Sequence, residues 1–264
     1  MDFYRALSPF YDEIFPASTE AISFLDSQCK TRVDGELRIL DAACGTGGHV
    51  LGLSSLGYDV TGIDIDASMI NLAQEKEYAK EIDFIEGDMR SLGEHSFPDK
   101  FDLIYCIGNS LVHLNEVREI EIFLNKVKKL LRPSGRGVVQ ILNYDRIREK
   151  RITELPQIDA AGGEVTFFRR YVFESADSLL FEGELRVKGA ALSRIMDMDQ
   201  TGDTLDGGSG DRVFVNQIRL LPLSGKTLLS AFEKTGYSRI DTYGDFLGKS
   251  FNSDSIMLIV GADA

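Results

Sequence analysis

The sequence predicts an α/β protein: a doubly wound, mostly parallel sheet with a small inserted antiparallel β cap. Two observations carry this. Through about residue 145, apolar runs alternate with stretches of helical periodicity, the pattern of a parallel sheet covered on both faces. After about residue 160 the period shortens to alternation of apolar and polar side chains, the mark of half-exposed antiparallel strands.

In chain order, residues 17–30 open with Ser18-Thr19-Glu20 and keep apolar residues at helical spacing, a capped helix. Strand 37–42 leads to helix 47–56, strand 59–63 to helix 68–80, and strand 82–86 follows. Strand 101–107 precedes helix 116–131, which closes at Arg132-Pro133-Ser134-Gly135 before strand 137–142. Residues 164–174 and 178–188 form antiparallel strands, with Leu179, Phe181, Leu185 and Val187 set against Glu182, Glu184, Arg186 and Lys188, and 211–221 adds another. Helix 225–234 and strands 239–243 and 255–260 finish the chain. The expected domains are 1–150, an N-terminal helical segment with the ligand-binding core; 151–222, the cap; and 223–264, which completes the core sheet.

Composition bounds the function. The 264 residues suffice for one good-sized core with an appended layer, and 43% hydrophobic with 27% charged residues is ordinary for a globular protein. No run of about 18 apolar residues is present, so no membrane span is expected. The start, MDFYRALSPFYDEIFP, does not read as a secretory signal. Cys29, Cys44 and Cys106 are too scattered for a disulfide scaffold and fit a reducing cytoplasm, and no Cys/His cluster has metal-ligand spacing. A net charge of −13 argues against nucleic acid, whose binding rests on Lys and Arg neutralising phosphates. The basic stretch 126–136 reads as a solvated helix end. Residues 197–211 (DMDQTGDTLDGGSGD) begin like a calcium loop, but Gly208 stands where that loop needs a bidentate Glu, so a solvated hairpin loop is expected.

The stretch LDAACGTGGH (40–49) places a glycine turn directly after a strand. A dinucleotide fingerprint would need a third Gly or Ala where Val50 stands, and no Gly-Lys-Ser/Thr follows for a P-loop. S-adenosylmethionine fits better. Backbone at 43–47 (Ala43, Cys44, Gly45, Gly47) allows close approach to its methionine part. Asp64, ending VTGIDID, is placed for the ribose hydroxyls, and Asp88 of FIEGDMR for the adenine amine, with Met89 to pack on the ring. A glycine turn and acids at successive strand tips fit the ligand-binding edge of an open α/β sheet.

On ILDAACGTG, VTGIDID, EGDM and LLRPSGRG the sequence resembles the class I S-adenosylmethionine-dependent methyltransferases over about residues 36–145, and more loosely at its end. The family implies a seven-stranded sheet whose last strand is antiparallel to the rest. CIGNSLVHL (106–114), NYDRI (143–147) and GDF (244–246) are similar to motifs of the glycine N-methyltransferase group. That similarity implies cofactor contacts at Ala43, Asp64, Asp88, Met89, Ile107 and His113, with Ile65 and Met69 completing the set, and places Asn109 toward the methyl acceptor. It also implies that the cap covers the site.

One departure matters. The group has an Arg before N-Y-D to grip the carboxylate of glycine, and here that position is Leu142, which cannot imitate a bidentate cation. Either another cation substitutes (Arg146, Arg169, Arg170 and Arg219 are candidates) or the acceptor has no carboxylate there. His113 is a candidate general base for a hydroxyl acceptor, or a holder of the cofactor carboxylate or a backbone carbonyl; the resemblance favours the holding role. In the N-terminal aromatic segment (Tyr4, Phe10, Tyr11), Tyr4 or Tyr11 is a candidate to reach sulfonium or acceptor, with plain packing the alternative. The expected function is methyl transfer to a small molecule, on an amine nitrogen. The alternatives are transfer to oxygen and a cofactor-binding regulator without turnover. The expected partner is a small-molecule acceptor, with a homo-oligomer left open.

Overall fold

The computed structural model describes residues 6–29, 37–76, 79–93, 97, 99–175, 178–196 and 211–264. They fall into two compact units, one from Ala17–Lys150 and Leu221–Ala264, the other from Arg151–Leu220 with the N-terminal stretch ending at Pro16. Among the described residues, no helix is long and apolar enough to cross a membrane.

In chain order the strands are β1 (Arg38–Asp41), β2 (Asp59–Asp64), β3 (Asp83–Glu86), β4 (Phe101–Cys106), β5 (Leu131–Leu142), β6 (Glu154–Ala160), β7 (Val165–Phe173), β8 (Leu179–Val187), β9 (Arg212–Leu220), β10 (Ser238–Tyr243) and β11 (Met257–Asp263). The larger unit holds a seven-stranded sheet in the order β10-β11-β5-β4-β1-β2-β3. Its strands are parallel except β11, which runs antiparallel to both neighbours, as the family resemblance implies.

Helices α1 (Thr19–Cys29), α2 (Gly48–Ser54), α3 (Ala67–Glu75), α4 (Val117–Leu130), α5 (Tyr144–Glu149) and α6 (Gly225–Lys234) belong to this unit. Every residue of β4 is buried, and its side chains divide by parity. Leu103 and Tyr105 join a core with Phe24, Val50, Leu53, Ile70 and Phe84 from α1, α2, α3 and β3. Ile104 and Cys106 face Phe123, Leu124 and Val127 of α4 and Phe232 of α6. The amphipathic spacing in α4 that buries Ile120, Phe123, Leu124, Val127 and Leu130 on one stripe makes that second layer.

At the end of the sheet away from the glycine loop, Arg136 of β5 is buried. It bonds Asp263 at 2.7 Å, Asp241 at 2.5 Å and Gln28 at 2.8 Å. The ion pairs keep its guanidinium charged despite burial and lock β10 and β11 to β5. Gly261 makes the room, since a Cβ there would lie 2.6 Å from the Arg136 guanidinium.

The smaller unit is an antiparallel meander, β6-β7-β8-β9. Its inward residues Val165, Phe167, Leu185, Val187 and Phe214 form a core with Ala6, Leu7, Phe10 and Ile14. The N-terminal segment therefore groups with the cap sheet, whereas the sequence places it with the larger core. Its apolar stripe finds its partners on the inward face of β7 and β8, and Glu13 ties it down by accepting from Ala161 N–H and pairing with Arg194, each at 2.7 Å.

Local boundaries also differ from the sequence reading. The helix expected over 68–80 stops at Glu75, and β5 begins at Leu131, where an irregular pairing with β4 takes up Arg132–Gly135. Strand β6 and helix α5 are elements the sequence reading leaves out. The hairpin loop expected at 197–211 lies, apart from Asp211, outside the described residues, as does Tyr4.

Candidate active site

The glycine loop follows β1 at the carboxyl edge of the sheet. Asp41, the last residue of β1, is buried, and its Oδ1 accepts the Ala43 N–H at 3.1 Å. Burial raises its pKa to about 7; the Ala43 N–H and the Tyr105 hydroxyl oppose that rise, and the Asp64 charge adds to it. Cys44 donates its backbone N–H to Ile63 of β2 at 2.8 Å, and its thiol is buried with a strongly raised pKa, so it offers structure and not a nucleophile.

Gly45 and Gly47 both adopt positive φ, 54° and 75°. At Gly47 the requirement comes from below: a Cβ would sit 2.5 Å from the Phe84 ring of β3. Gly62 is equally confined, because a Cβ there would meet Phe84 at 2.9 Å and Cys44 at 3.0 Å. The loop thus lies flat on β2 and β3. In the first turn of α2, His49 Nε2 accepts the Ser18 N–H at 3.2 Å, anchoring the start of α1 beside the loop, and burial lowers its pKa.

Asp64 ends β2. One carboxylate oxygen accepts the Gly45 N–H at 2.8 Å and the other the Asp66 N–H at 3.0 Å. Burial raises its pKa, against the pull of those two bonds. A carboxylate has about four acceptor sites, so Asp64 retains capacity for a further donor. Asp66, not Asp64, caps α3, accepting from Ser68 N–H at 2.8 Å. Ile65, next to Asp64, is 63% exposed, an apolar side chain with no protein partner over most of its surface, while Met69 is buried in α3. Asp88 follows β3 and caps the turn Met89–Ser91, with Met89 half-buried. Its carboxylate is gripped by Arg90 at 2.6–2.8 Å, which holds its pKa below the usual carboxylate range.

After β4, Ile107 is buried in the core with Cys44, Ile70 and Phe84. Asn109, with φ 66°, has both ends of its amide engaged: Oδ1 accepts the Leu142 N–H and Nδ2 donates to the Tyr144 hydroxyl, each at 2.9 Å. Buried Gln140 accepts the Gly108 N–H at 2.8 Å. His113 ends the turn Ser110–His113 on the surface, and the protein around it lowers its pKa, favouring neutral imidazole. Among the described residues nothing hydrogen-bonds its ring. The motif NYDRI has structural work: Asn143 caps α5 and donates to the Ser253 and Ser255 carbonyls, and Asp145 accepts the Gly225 N–H at 2.9 Å. The sequence reading gave no role to Gln140, Tyr144 or His49, although Tyr144 lies in NYDRI and His49 ends LDAACGTGGH; for Gln140 the available signal was a Gln inside the apolar run VVQIL.

The larger unit therefore brings Ala43, Cys44, Gly45, Gly47, Asp64, Ile65, Met69, Asp88, Met89, Ile107, Asn109 and His113 onto elements that meet at one sheet edge. Tyr11 belongs to the smaller unit, half-buried with its ring 5.3 Å from Phe15. Of the candidate cations, Arg170 pairs with Glu182 and Arg219 with Glu174. Arg146 and Arg169 each keep a buried Nε without a hydrogen-bond partner.

These residues fit S-adenosylmethionine on the structure's own terms: a loop pressed onto β2 that ends at a carboxylate with capacity for a further donor, followed by an exposed aliphatic side chain. Residues 39–135 match a methyltransferase domain family. With the fold, that match supports a class I S-adenosylmethionine-dependent methyltransferase. Among characterised proteins it is similar to the glycine/sarcosine N-methyltransferase of Aphanothece halophytica, 26% identical over 214 residues that cover 80% of this chain and 70% of the relative. It is 33% identical to rat glycine N-methyltransferase over 128 residues, 44% of each chain. In fold it matches an S-adenosylmethionine-dependent methyltransferase of Clostridium acetobutylicum with TM-score 0.77 and 16% identity, covering 99% of both chains. It likewise matches CalS10, an amino pentose methyltransferase of Micromonospora echinaspora, with TM-score 0.72 and 20% identity over 100% of this chain and 98% of that one.

Proposed function

We propose that the protein methylates an amine nitrogen of a small molecule in the cytoplasm. The observation that carries this is His113. It is the histidine of the loop after β4, and no described residue orients its ring as a general base. A neutral amine attacks with its own lone pair and needs no such base, whereas a hydroxyl does. The likeness to glycine/sarcosine N-methyltransferases supports the same acceptor atom. Glycine itself is not carried over, because Leu142 replaces the gripping Arg and Arg170 and Arg219 are already paired. Three buried free thiols support a reducing compartment.

When bound, S-adenosylmethionine supplies a methyl group made electrophilic by its sulfonium. The chain's part is to bind, orient and exclude water. In this reading the backbone of residues 43–47 receives the amino-acid part. Asp64 accepts from the ribose hydroxyls while its bond to Gly45 ties loop and acid together. Ile65, Met89 and Ile107 flank the adenine, and Asp88 accepts from the exocyclic amine beside its own Arg90. Purified protein incubated with methyl-labelled cofactor and a deproteinised metabolite extract tests the reading: label is expected on nitrogen. Label on oxygen, or no transfer at all, would refute it.

A further inference from the structure

We propose that Tyr144 and Gln140 are positioning residues for methyl transfer, holding the loop after β4 through Asn109 and Gly108, and that Asn109 serves as a strut and not as a contact to the acceptor. This rests on the methyltransferase reading above.

Gly108 and Asn109 are consecutive residues in the left-handed region, at φ 76° and 66°. Asn tolerates this backbone better than other side chains, and two such residues in a row keep their shape where the surroundings hold them. Here they do, at three points. The Gly108 N–H is held by Gln140 at 2.8 Å, the Leu142 N–H by Asn109 Oδ1 at 2.9 Å, and the Asn109 amide nitrogen by the Tyr144 hydroxyl at 2.9 Å. The Leu142 N–H can only donate, so it fixes which end of the Asn109 amide is oxygen, and the remaining end must donate to Tyr144. Gln140 and Tyr144 are both buried, so neither anchor swings with solvent. All three contacts run from the loop to β5 and α5; none touches the glycine loop or Asp64. Loosening them should therefore move what the loop after β4 presents while leaving the β1 and β2 tips in place. A displacement of about 1 Å at a reacting site lowers rate on the order of a hundredfold.

Tyr144→Phe removes one atom, the acceptor for Asn109, and Gln140→Met removes the acceptor for Gly108. Three quantities are measured on each purified variant and on wild type: the rate of label transfer from the methyl donor into the metabolite extract, calorimetric affinity for S-adenosylhomocysteine, and hydrogen exchange of the Leu142 and Gly108 amides. Expected for Tyr144→Phe is a rate lowered about tenfold or more, an affinity within about twofold of wild type, and faster exchange at Leu142. Gln140→Met should give the same split with faster exchange at Gly108, and it decides the matter if Tyr144→Phe does not fold. Wild-type rates in either folded variant, or a loss of affinity matching the loss of rate, overturn the positioning role. If wild type transfers no label, the methyltransferase reading falls by itself. The strut is then judged on exchange alone, and unchanged exchange at Leu142 in Tyr144→Phe overturns it.

Discussion

Replacing Gly47 by alanine tests why the loop after β1 has the shape it has. Gly47 stands at φ 75°, where an L-residue costs about 1–2 kcal/mol. The added Cβ would lie 2.5 Å from Phe84 Cε1, 2.6 Å from Cζ and 3.2 Å from the Ala73 Cβ, so a packed ring must shift, an overpacking cost of about 1–3 kcal/mol. Together these predict a loss of about 2–5 kcal/mol in unfolding free energy, read by urea denaturation. The two components separate in a double-mutant cycle with Phe84→Leu: the steric part is relieved and appears as a coupling of about 1–3 kcal/mol, while the backbone part remains. Because the loop carries the Gly45 N–H that Asp64 accepts, affinity for S-adenosylhomocysteine should fall as well. Additive single effects, with coupling below about 0.5 kcal/mol, would refute the clash with Phe84.

Asp64→Ala should weaken S-adenosylhomocysteine binding by about 1–3 kcal/mol, the range for losing hydrogen bonds to a charged group, and unchanged calorimetric affinity would contradict its placement. Burial raises the folded-state pKa of Asp41 to about 7, so the folded chain retains a proton that the unfolded chain has already released. Stability should therefore fall as pH rises from about 4 to 7, with this group contributing up to about 1.4 kcal/mol per pH unit. Asp41→Asn should remove that share, and parallel denaturation profiles for the two proteins would rule it out. Arg136→Met leaves Asp241 and Asp263 facing each other without their cation. The expected loss is about 2–4 kcal/mol, below the range of a fully buried pair because both carboxylates are partly exposed, and an unchanged urea midpoint would argue against the clamp.

The parallel core was legible because burial on both faces leaves a run such as FDLIYC with no alternative but an interior strand. Helix α6 was legible to the residue, since a Ser224 cap and a Gly236 stop enclose one amphipathic stripe. Strand β6 was hidden: ELPQIDA is an edge strand, mostly exposed and carrying a proline, so it shows neither an apolar run nor a clean alternation. Helix α5 has six residues, too few for a period to declare itself. At the site, motif spacing located Asp64 and the glycine turn because strand tips are fixed by local sequence. It could not foresee that Asn109 engages Leu142 and Tyr144, more than thirty residues away in the chain, since such partners are set by how strands stack in space. Nor could it reveal that Gly47 is demanded by the Phe84 ring beneath it.

Strand β11 is interior to the sheet although it follows every other described strand in the chain. During translation, β5 and β10 leave the ribosome before the segment that joins them, and among the described strands β10 has no other neighbour. Nascent chains stalled ahead of Met257 would present two open backbone edges, a template for misassociation. Chaperone dependence and sensitivity to truncation should thus concentrate on Met257–Asp263, the segment that closes both edges at once.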